Sequence, residues 1–350
     1  MPGRGIIDKY LMISQVPGKF IGLRPTIFDD FEKDYNVVLV KASYNDLIVH
    51  NGQKWTIDHD YLSQYKSKLI VVDFASEHWN QFDDSVYHDL DASDYNFLLL
   101  TYDHTRHHMY PKMFYYPYWY YERQNVQTWS VNKNNTMESR TFHLGCLNGN
   151  PRPHRIANYY RLMKKSYKDQ MSISFHNTPD KNLSRQDDVI LLDEELNYWN
   201  SVRNSLPQWP RLVSDSMVLP QLSDSYLHLV TETTVLPGVF ITEKTWKPVA
   251  AGVPFLMFGN PGTISFLKTL GVDTYDDVID HAFYDNEPDW RIRLTKIHTV
   301  LDNLIDYGAE KIYQHLFVRT QNNTHKFRNG DFDPGYQSQL TSAIENVSIR

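Results

Sequence analysis

Cysteine is almost missing from this sequence. Among 350 residues only Cys146 occurs, which excludes an internal disulfide and a cysteine-cluster metal site. A chain of this kind is typical of a reducing, intracellular setting, and we predict a cytoplasmic protein. Long apolar runs are missing too. The N-terminus has no apolar stretch of the signal-peptide type, and nowhere do about 18 apolar residues follow one another, so we expect no membrane span.

Motifs that indicate several other chemistries are also absent. The sequence contains no P-loop of the form Gly-x-x-x-x-Gly-Lys-Ser/Thr, no Gly-x-Gly-x-x-Gly fingerprint, no Gly-x-Ser-x-Gly elbow and no His-Glu-x-x-His zinc motif. Two Asp-x-Asp segments occur, at Asp89–Asp91 and Asp331–Asp333. Both lie in acidic polar stretches, and we expect neither to bind a metal ion.

Short β-branched apolar runs alternate with helix-like stretches, and this alternation predicts an α/β fold with parallel strands. The run Leu69–Asp73 is continuously apolar up to its last residue, which is typical of a strand that is buried on both faces. The predicted strands are 36–40, 69–73, 95–101, 113–116, 141–144, 171–175, 188–192, 225–230 and 253–258. The predicted helices are 153–168, 194–204, 243–251, 262–270, 291–307 and 310–322.

The polar segment Tyr121–Arg140 has no hydrophobic periodicity, which is typical of a linker. We therefore predict an N-terminal domain over residues 1–135 and a second domain over residues 136–325. The remaining residues, 326–350, form a tail that could fold as a helix and return to the first domain.

An apolar strand over Ser225–Thr233 has a carboxylate, Glu232, near its end, and open α/β sheets bind ligands at the carboxyl ends of strands. A predicted helix follows, with Thr242 as its N-cap and Glu243 in its first turn. A helix start offers unsatisfied N–H groups and a partial positive charge, which suit a diphosphate. Lys244 and Lys247 add positive charge there. The alternative is a capped surface helix with solvated charges.

Two further segments strengthen the ligand interpretation. The segment Ala250–Gly262 combines a small-residue helix end, an apolar strand and a glycine-bounded turn, in which Gly259 would let the backbone approach a ligand. In His143–Arg155 a strand and an Asn/Gly turn lead into a helix that opens at Pro153. Its first turn carries a basic cluster, for which a solvated cap is the alternative: Arg152, His154 and Arg155. Two cationic helix starts in one α/β domain are what a nucleoside diphosphate needs.

The order of Glu232, Thr242-Glu243-Lys244 and Gly252-Val253-Pro254 resembles the donor-site motif of α-1,3-fucosyltransferases, over residues 225–262. Val230–Thr233 departs from the family, which has Phe-Glu-Asn-Ser there, and this leaves the donor sugar open. The resemblance implies a GT-B fold, with two Rossmann-like domains facing a cleft. It also implies sugar transfer from a GDP- or UDP-sugar to an acceptor hydroxyl with inversion, with no metal and no cofactor besides the nucleotide-sugar co-substrate. The missing membrane anchor favours a bacterial or phage source.

The same resemblance implies roles for individual residues. Glu243 would hold the ribose, and Glu232 would orient the donor sugar. The diphosphate would be neutralised by Lys244, Arg152 and Arg155. The other residues expected around the donor are His154, Thr242, Lys247 and Gly259.

The predicted strand Leu69–Asp73 runs into Ser76-Glu77-His78, whose position is similar to that of a Glu-Ser-Pro segment in the fucosyltransferases. An inverting transfer needs a group that deprotonates the acceptor hydroxyl. Glu77 is therefore the predicted catalytic base, with His78 in reserve.

The acceptor has one main interpretation and two alternatives. A glycan is the first choice. A phage-type DNA glycosyltransferase that acts on hydroxymethylated bases would need a basic face and a flipped base. The net charge of −7 argues against it, although a group of basic residues keeps it open: Lys112, Arg123, Arg161, Lys164 and Lys165. The second alternative is a non-catalytic carbohydrate-binding protein with the same fold.

Overall fold

The computed structural model describes residues 37–41, 48–50, 55–57, 59–73, 84–101, 107–115, 140–175, 189–206, 220–332 and 335–348. The chain divides into two compact units, of which the first comprises residues 1–121 and 334–350 and the second residues 122–333. The boundary that the sequence predicts near residue 135 lies outside the described residues.

The elements of the first unit are, in chain order, β1 (Val37–Lys41), β2 (Ile48–His50), β3 (Trp55–Ile57), α1 (His59–Ser63), β4 (Leu69–Asp73), α2 (Asp84–Ala92), β5 (Phe97–Thr101) and β6 (Met113–Tyr115). The second unit contains β7 (Phe142–Leu147), α3 (Pro153–Met163), β8 (Met171–Ser174), α4 (Asp193–Val202), α5 (Pro220–Ser223), β9 (Ser225–Thr231), α6 (Glu243–Ala251), β10 (Phe255–Phe258), α7 (Thr263–Thr269), α8 (Trp290–Tyr307) and α9 (Ala309–Asn329). A last helix, α10 (Tyr336–Ser348), belongs to the first unit. Single 3-10 turns lie at His107–Met109 and Lys168–Gln170.

In the first unit β1, β4, β5 and β6 form a parallel sheet in that order, while β2 and β3 pair antiparallel. The five residues of β5 are all buried, as expected for a strand covered on both faces. Side chains of β4 and β5 pack with α2 in one apolar core, in which Ile70, Phe97 and Leu90 are fully buried. Near the end of α10, the carbonyl of Val347 accepts a hydrogen bond from Asn96 Nδ2 (3.4 Å), which places this helix beside β5.

In the second unit the four parallel strands have the order β10-β9-β7-β8. From β7 the chain passes through α3 to β8 at one edge of the sheet. From the neighbouring β9 it passes through α6 to β10 at the other edge. The connections after these two adjacent strands therefore run in opposite directions. This is a topological switch point, where open α/β sheets leave a crevice at the carboxyl ends of the strands.

Two units that are each built on a parallel sheet confirm the predicted α/β class of two Rossmann-like units. The bounds of β4 and α6 agree with the prediction residue for residue. The predicted strand at 188–192 is wrong. Residues 189–192 form no strand and lead directly into α4; Val189 is buried, whereas Ile190 is 74% exposed and Leu192 49% exposed, so the run is covered only in part. None of the described helices has both the length and the apolar character that crossing a bilayer requires.

Candidate functional site

The switch point brings together the starts of two helices. Thr242 is the N-cap of α6, as predicted, and its hydroxyl accepts a hydrogen bond from the backbone N–H of Lys244 (3.4 Å). Glu243 occupies the first turn. At the other end of α6, Gly252 has a left-handed backbone (φ 63°), which favours glycine and explains its place before Val253-Pro254. The second helix, α3, begins with Pro153 after the extended N-cap Arg152.

Cationic side chains from both helix starts contact one residue, Thr233, in the loop that follows β9. Arg152 Nη1 donates to the carbonyl oxygen of Thr233 (2.8 Å), and Lys244 Nζ lies 3.4 Å from the hydroxyl of the same residue. The Arg152 side chain is half-buried, and that of Lys244 is 13% exposed. Both helix starts thus place a cationic side chain at the same residue. An anion bound here would gain from both cations and from both helix starts.

Glu243 provides a carboxylate beside these cations. Its oxygen Oε1 lies 2.7 Å from Lys244 Nζ, and its side chain is 26% exposed. Burial opposes the negative charge, but Lys244 and Lys247 outweigh it and lower the pKa of Glu243 from 4.5 to about 2. A carboxylate with oxygens that only accept hydrogen bonds is suited to a diol. Lys247 lies one turn further along α6 and is 4% exposed, so its positive charge acts on Glu243 from within the protein.

A Glu243→Gln variant gives a prediction on pH dependence. Because the pKa of Glu243 is lowered in the folded state, its charge stabilises the fold fully above about pH 4.5 and ceases to do so as the pH falls towards 2. We expect parent and variant to differ in the free energy of unfolding by a constant amount at neutral pH, in favour of the parent. The difference should shrink between pH 4.5 and pH 2. Urea unfolding at a series of pH values measures it, and a difference that is independent of pH would contradict the assignment.

Glu232 is fully buried, and both of its carboxylate oxygens receive hydrogen bonds from the protein. Oε1 accepts from the backbone N–H of Thr242 (3.0 Å) and from the hydroxyl of Thr245 (2.5 Å). Oε2 accepts from the hydroxyl of Thr242 (2.7 Å) and from the backbone N–H of Thr233 (3.0 Å). A Cβ at Gly259 would lie 3.3 Å from the Cβ of Glu232, so this glycine makes room for the glutamate. Glu232 thus ties the end of β9 to both ends of the following loop.

His154 and Arg155 point into the protein. Both are at most 2% exposed. The Nε2 of His154 donates to the carbonyl of Glu232 (2.8 Å), and Nη2 of Arg155 donates to the same carbonyl (2.9 Å) and to that of Thr231 (3.3 Å). Nη1 of Arg155 donates to the carbonyl of Asn150 (3.1 Å). These two basic side chains therefore join the first turn of α3 to the end of β9. Their predicted contact with a diphosphate stays a prediction.

Two residues that the sequence did not single out hold the loop between β9 and α6. Asn260 accepts a hydrogen bond from the N–H of Phe240 at Oδ1 (3.0 Å) and donates from Nδ2 to the carbonyl of Leu236 (2.5 Å). The buried Arg293 of α8 donates from Nη2 to the carbonyl of Val235 (2.5 Å). Asn260 could have been found from its place in the Gly-Asn-Pro-Gly turn after a strand. Nothing in the local sequence points to Arg293, which is far away along the chain.

Two further predictions concern the catalytic base and the Asp-x-Asp segments. Glu77 and His78 lie outside the described residues, so the catalytic base stays a prediction. Of the Asp-x-Asp segments, Asp91 forms an ion pair with Lys112 (3.0 Å) in the first unit. Within the described part of the chain no three His, Cys, Asp or Glu side chains are grouped as metal ligands would be.

No protein-family model matches the chain, and no curated protein is significantly similar in sequence. Among solved structures, the chain is similar to BGT of T4 phage in complex with UDP and Mn2+, at 13% identity and a TM-score of 0.42, over 91% of this chain and 85% of that one. It is also similar to the DNA-modifying enzyme β-glucosyltransferase, at 11% identity and a TM-score of 0.41, over 81% and 76%. An α1,3-fucosyltransferase matches at 11% identity and a TM-score of 0.42, over 90% and 78%.

Proposed function

We propose that this protein is a glycosyltransferase of the GT-B type that transfers a sugar from a nucleoside-diphosphate donor to an acceptor hydroxyl. The observation that carries the proposal is the convergence of Arg152 and Lys244 on Thr233 at the switch point. Two cations and two helix starts at one place give an environment for a diphosphate leaving group. The motif Thr242-Glu243-Lys244, which resembles that of the α-1,3-fucosyltransferases, supports the sugar-nucleotide part of the proposal.

The contacts of the predicted residues support a division of roles. Arg152 and Lys244 would balance the charge of the diphosphate as the bond to the sugar breaks, and this supports a transfer without an essential metal ion. Glu243 would accept hydrogen bonds from the ribose hydroxyls, because its lowered pKa keeps it ionised. His154 and Arg155 donate hydrogen bonds to backbone carbonyls. We therefore assign them the role of holding the end of β9, which Thr233 follows.

Donor hydrolysis tests the proposal without knowledge of the acceptor. The full-length chain is incubated with a panel of GDP- and UDP-sugars, and the released GDP or UDP is measured. We expect release from donors of one base, and binding of the same nucleoside diphosphate by calorimetry. A chain that neither releases nor binds any nucleoside diphosphate would contradict the proposal and favour a carbohydrate-binding protein.

A second experiment separates the acceptors. We propose a glycan as the acceptor, since the α-1,3-fucosyltransferases, whose motif this sequence resembles, act on glycans. With the donor identified, transfer is measured to a panel of oligosaccharides and to DNA with hydroxymethylated bases. Faster nucleotide release with an oligosaccharide is the expected result. Transfer to DNA that falls steeply with added salt would replace the glycan by a nucleic-acid acceptor, because phosphate contacts make binding sensitive to salt.

A further inference from the structure

We propose that Glu232 is a positioning residue, which fixes the ammonium group of Lys244 through the hydroxyl of Thr242. The carboxylate has no exposed surface and so does not touch a ligand itself. Its oxygen Oε2 lies 2.7 Å from the hydroxyl of Thr242, and that hydroxyl lies 3.2 Å from Lys244 Nζ. The effect on nucleotide binding rests on the function proposed above, whereas the effect on Lys244 does not.

The direction of the hydrogen bonds in this chain of contacts follows from the chemistry of its members. An ammonium group and a backbone N–H only donate, so the Thr242 hydroxyl must accept from Lys244 at both places, Nζ (3.2 Å) and N (3.4 Å). Its single proton is then free for Glu232. Because the hydroxyl donates this proton to the carboxylate in a hydrogen bond, both of its lone pairs stay directed at Lys244. Glu232 thereby holds at once the cap of α6 and the cation beside it.

The second contact of Lys244 in the loop is also held by Glu232. Lys244 Nζ lies 3.4 Å from the hydroxyl of Thr233, and the backbone N–H of Thr233 donates to Oε2 of Glu232 (3.0 Å). Two threonines therefore fix the ammonium group, and the same carboxylate oxygen fixes both threonines. The third contact of Lys244, with Glu243 Oε1 at 2.7 Å, lies on the more exposed side.

Glutamine cannot replace glutamate at this position without a conflict. Each carboxylate oxygen accepts from one backbone N–H: Oε1 from that of Thr242, and Oε2 from that of Thr233. A hydroxyl can turn and accept instead, but a backbone N–H cannot. In either orientation the amide NH2 of a glutamine would thus face a backbone donor in a buried site, and an unsatisfied buried donor is costly.

The test combines binding with matched variants of the full-length chain. We expect Glu232→Gln to weaken the binding of UDP or GDP by about tenfold or more in calorimetry, the effect of losing one hydrogen bond to a charged group. Thr242→Val, which keeps the carboxylate and removes the hydroxyl, should weaken binding similarly, and Thr242→Ser should restore it. The control is Glu195→Gln. Glu195 is also buried, but it pairs with Arg291 (2.9 Å) and has no bond to the loop, so its loss should leave binding unchanged.

A second measurement does not depend on the nucleotide. The amine of Lys244 is labelled with acetic anhydride, and the rate is followed by mass spectrometry. We expect labelling to be severalfold faster in Glu232→Gln and Thr242→Val than in the parent and in Glu195→Gln. Should Glu232→Gln fail to fold, Thr242→Val carries the test alone.

The outcomes distinguish the two proposals. A parent that binds no nucleotide overturns the proposed function, and the labelling rates then decide on the role of Glu232. If Lys244 is labelled at the parent rate in both Glu232→Gln and Thr242→Val, the positioning role is overturned, even where nucleotide binding is present. If Glu195→Gln weakened nucleotide binding as much as Glu232→Gln does, the positioning role would likewise be overturned, because Glu232 would then only stabilise the fold.

Discussion

Replacement of Lys244 by alanine is expected to weaken the binding of UDP or GDP by about 30- to 100-fold, which corresponds to about 2–3 kcal/mol. The ammonium group provides one of the two cations at Thr233, and its loss removes a charge-assisted contact with the diphosphate. It also leaves the carboxylate of Glu243 without its partner at 2.7 Å. The negative charge of Glu243, which Lys247 then balances only in part, would repel a diphosphate. Calorimetric titration with each nucleotide measures the effect.

Arg152→Ala should weaken binding to a similar extent, because Arg152 is the other cation at the same contact residue. Lys268→Ala is the matched control. Lys268 lies in α7 of the same unit, and its side chain is 43% exposed in an ion pair with Asp276 (2.5 Å). Exposed ion pairs of this kind contribute little to the stability of the fold. Equal affinities of the parent and the Lys244→Ala variant would remove Lys244 from the proposed site.

Replacement of Gly145 by alanine is expected to produce the largest loss of stability, about 3 kcal/mol or more, or a chain that does not fold. Gly145 lies in β7, and α5 packs directly on it. A Cβ there would lie 2.0 Å from the carbonyl oxygen of Gln221 and 2.8 Å from its Cα, which no side-chain rotation can relieve. The same carbonyl accepts a hydrogen bond from Nδ1 of the buried His228 (3.0 Å), so a shift of α5 also breaks that bond.

Urea unfolding of the parent and Gly145→Ala measures this loss. Gly271→Ala is the control, since Gly271 has a left-handed backbone (φ 84°) but no atom within 4 Å of an added Cβ. We expect it to cost only the backbone strain, about 1–2 kcal/mol. If the two variants were equally stable, the close packing of α5 on β7 would not be a determinant of the fold.

Much of the second unit could be predicted from local pattern. The helix Glu243–Ala251 was predicted with its bounds, because its N-cap threonine, its acidic first turn and its C-terminal glycine are all signals within a few residues. The predicted helix from Pro153 ends at Met163 rather than Lys168, since helix ends without a strong stop signal are poorly defined by sequence. The apolar run at 189–192 is not a strand, because an apolar run alone does not show whether its backbone pairs with a neighbouring strand.

The site was predictable in part. The sequence predicts that Arg152 and Lys244 each lie at a cationic helix start in the same domain, but not that the strands before these helices are neighbours. The inward direction of His154 and Arg155 does not follow, because a basic residue in the first turn can face solvent or a carbonyl with the same local sequence. The four hydrogen bonds that Glu232 accepts could not be predicted from the sequence either, because they depend on how the loop after β9 folds back to the end of that strand.

The sequence by itself determined the alternation of strands and helices, the cap of α6 and the type of charge at both helix starts. These properties depend on residues within one or two turns of each other. Only the tertiary structure decided that β7 and β9 are neighbours, that Arg152 and Lys244 meet at Thr233, and that Glu232 faces the protein. The physical reason is that strand order and the direction of a buried side chain are set by contacts between residues about 80 positions apart, as between Arg152 and Thr233.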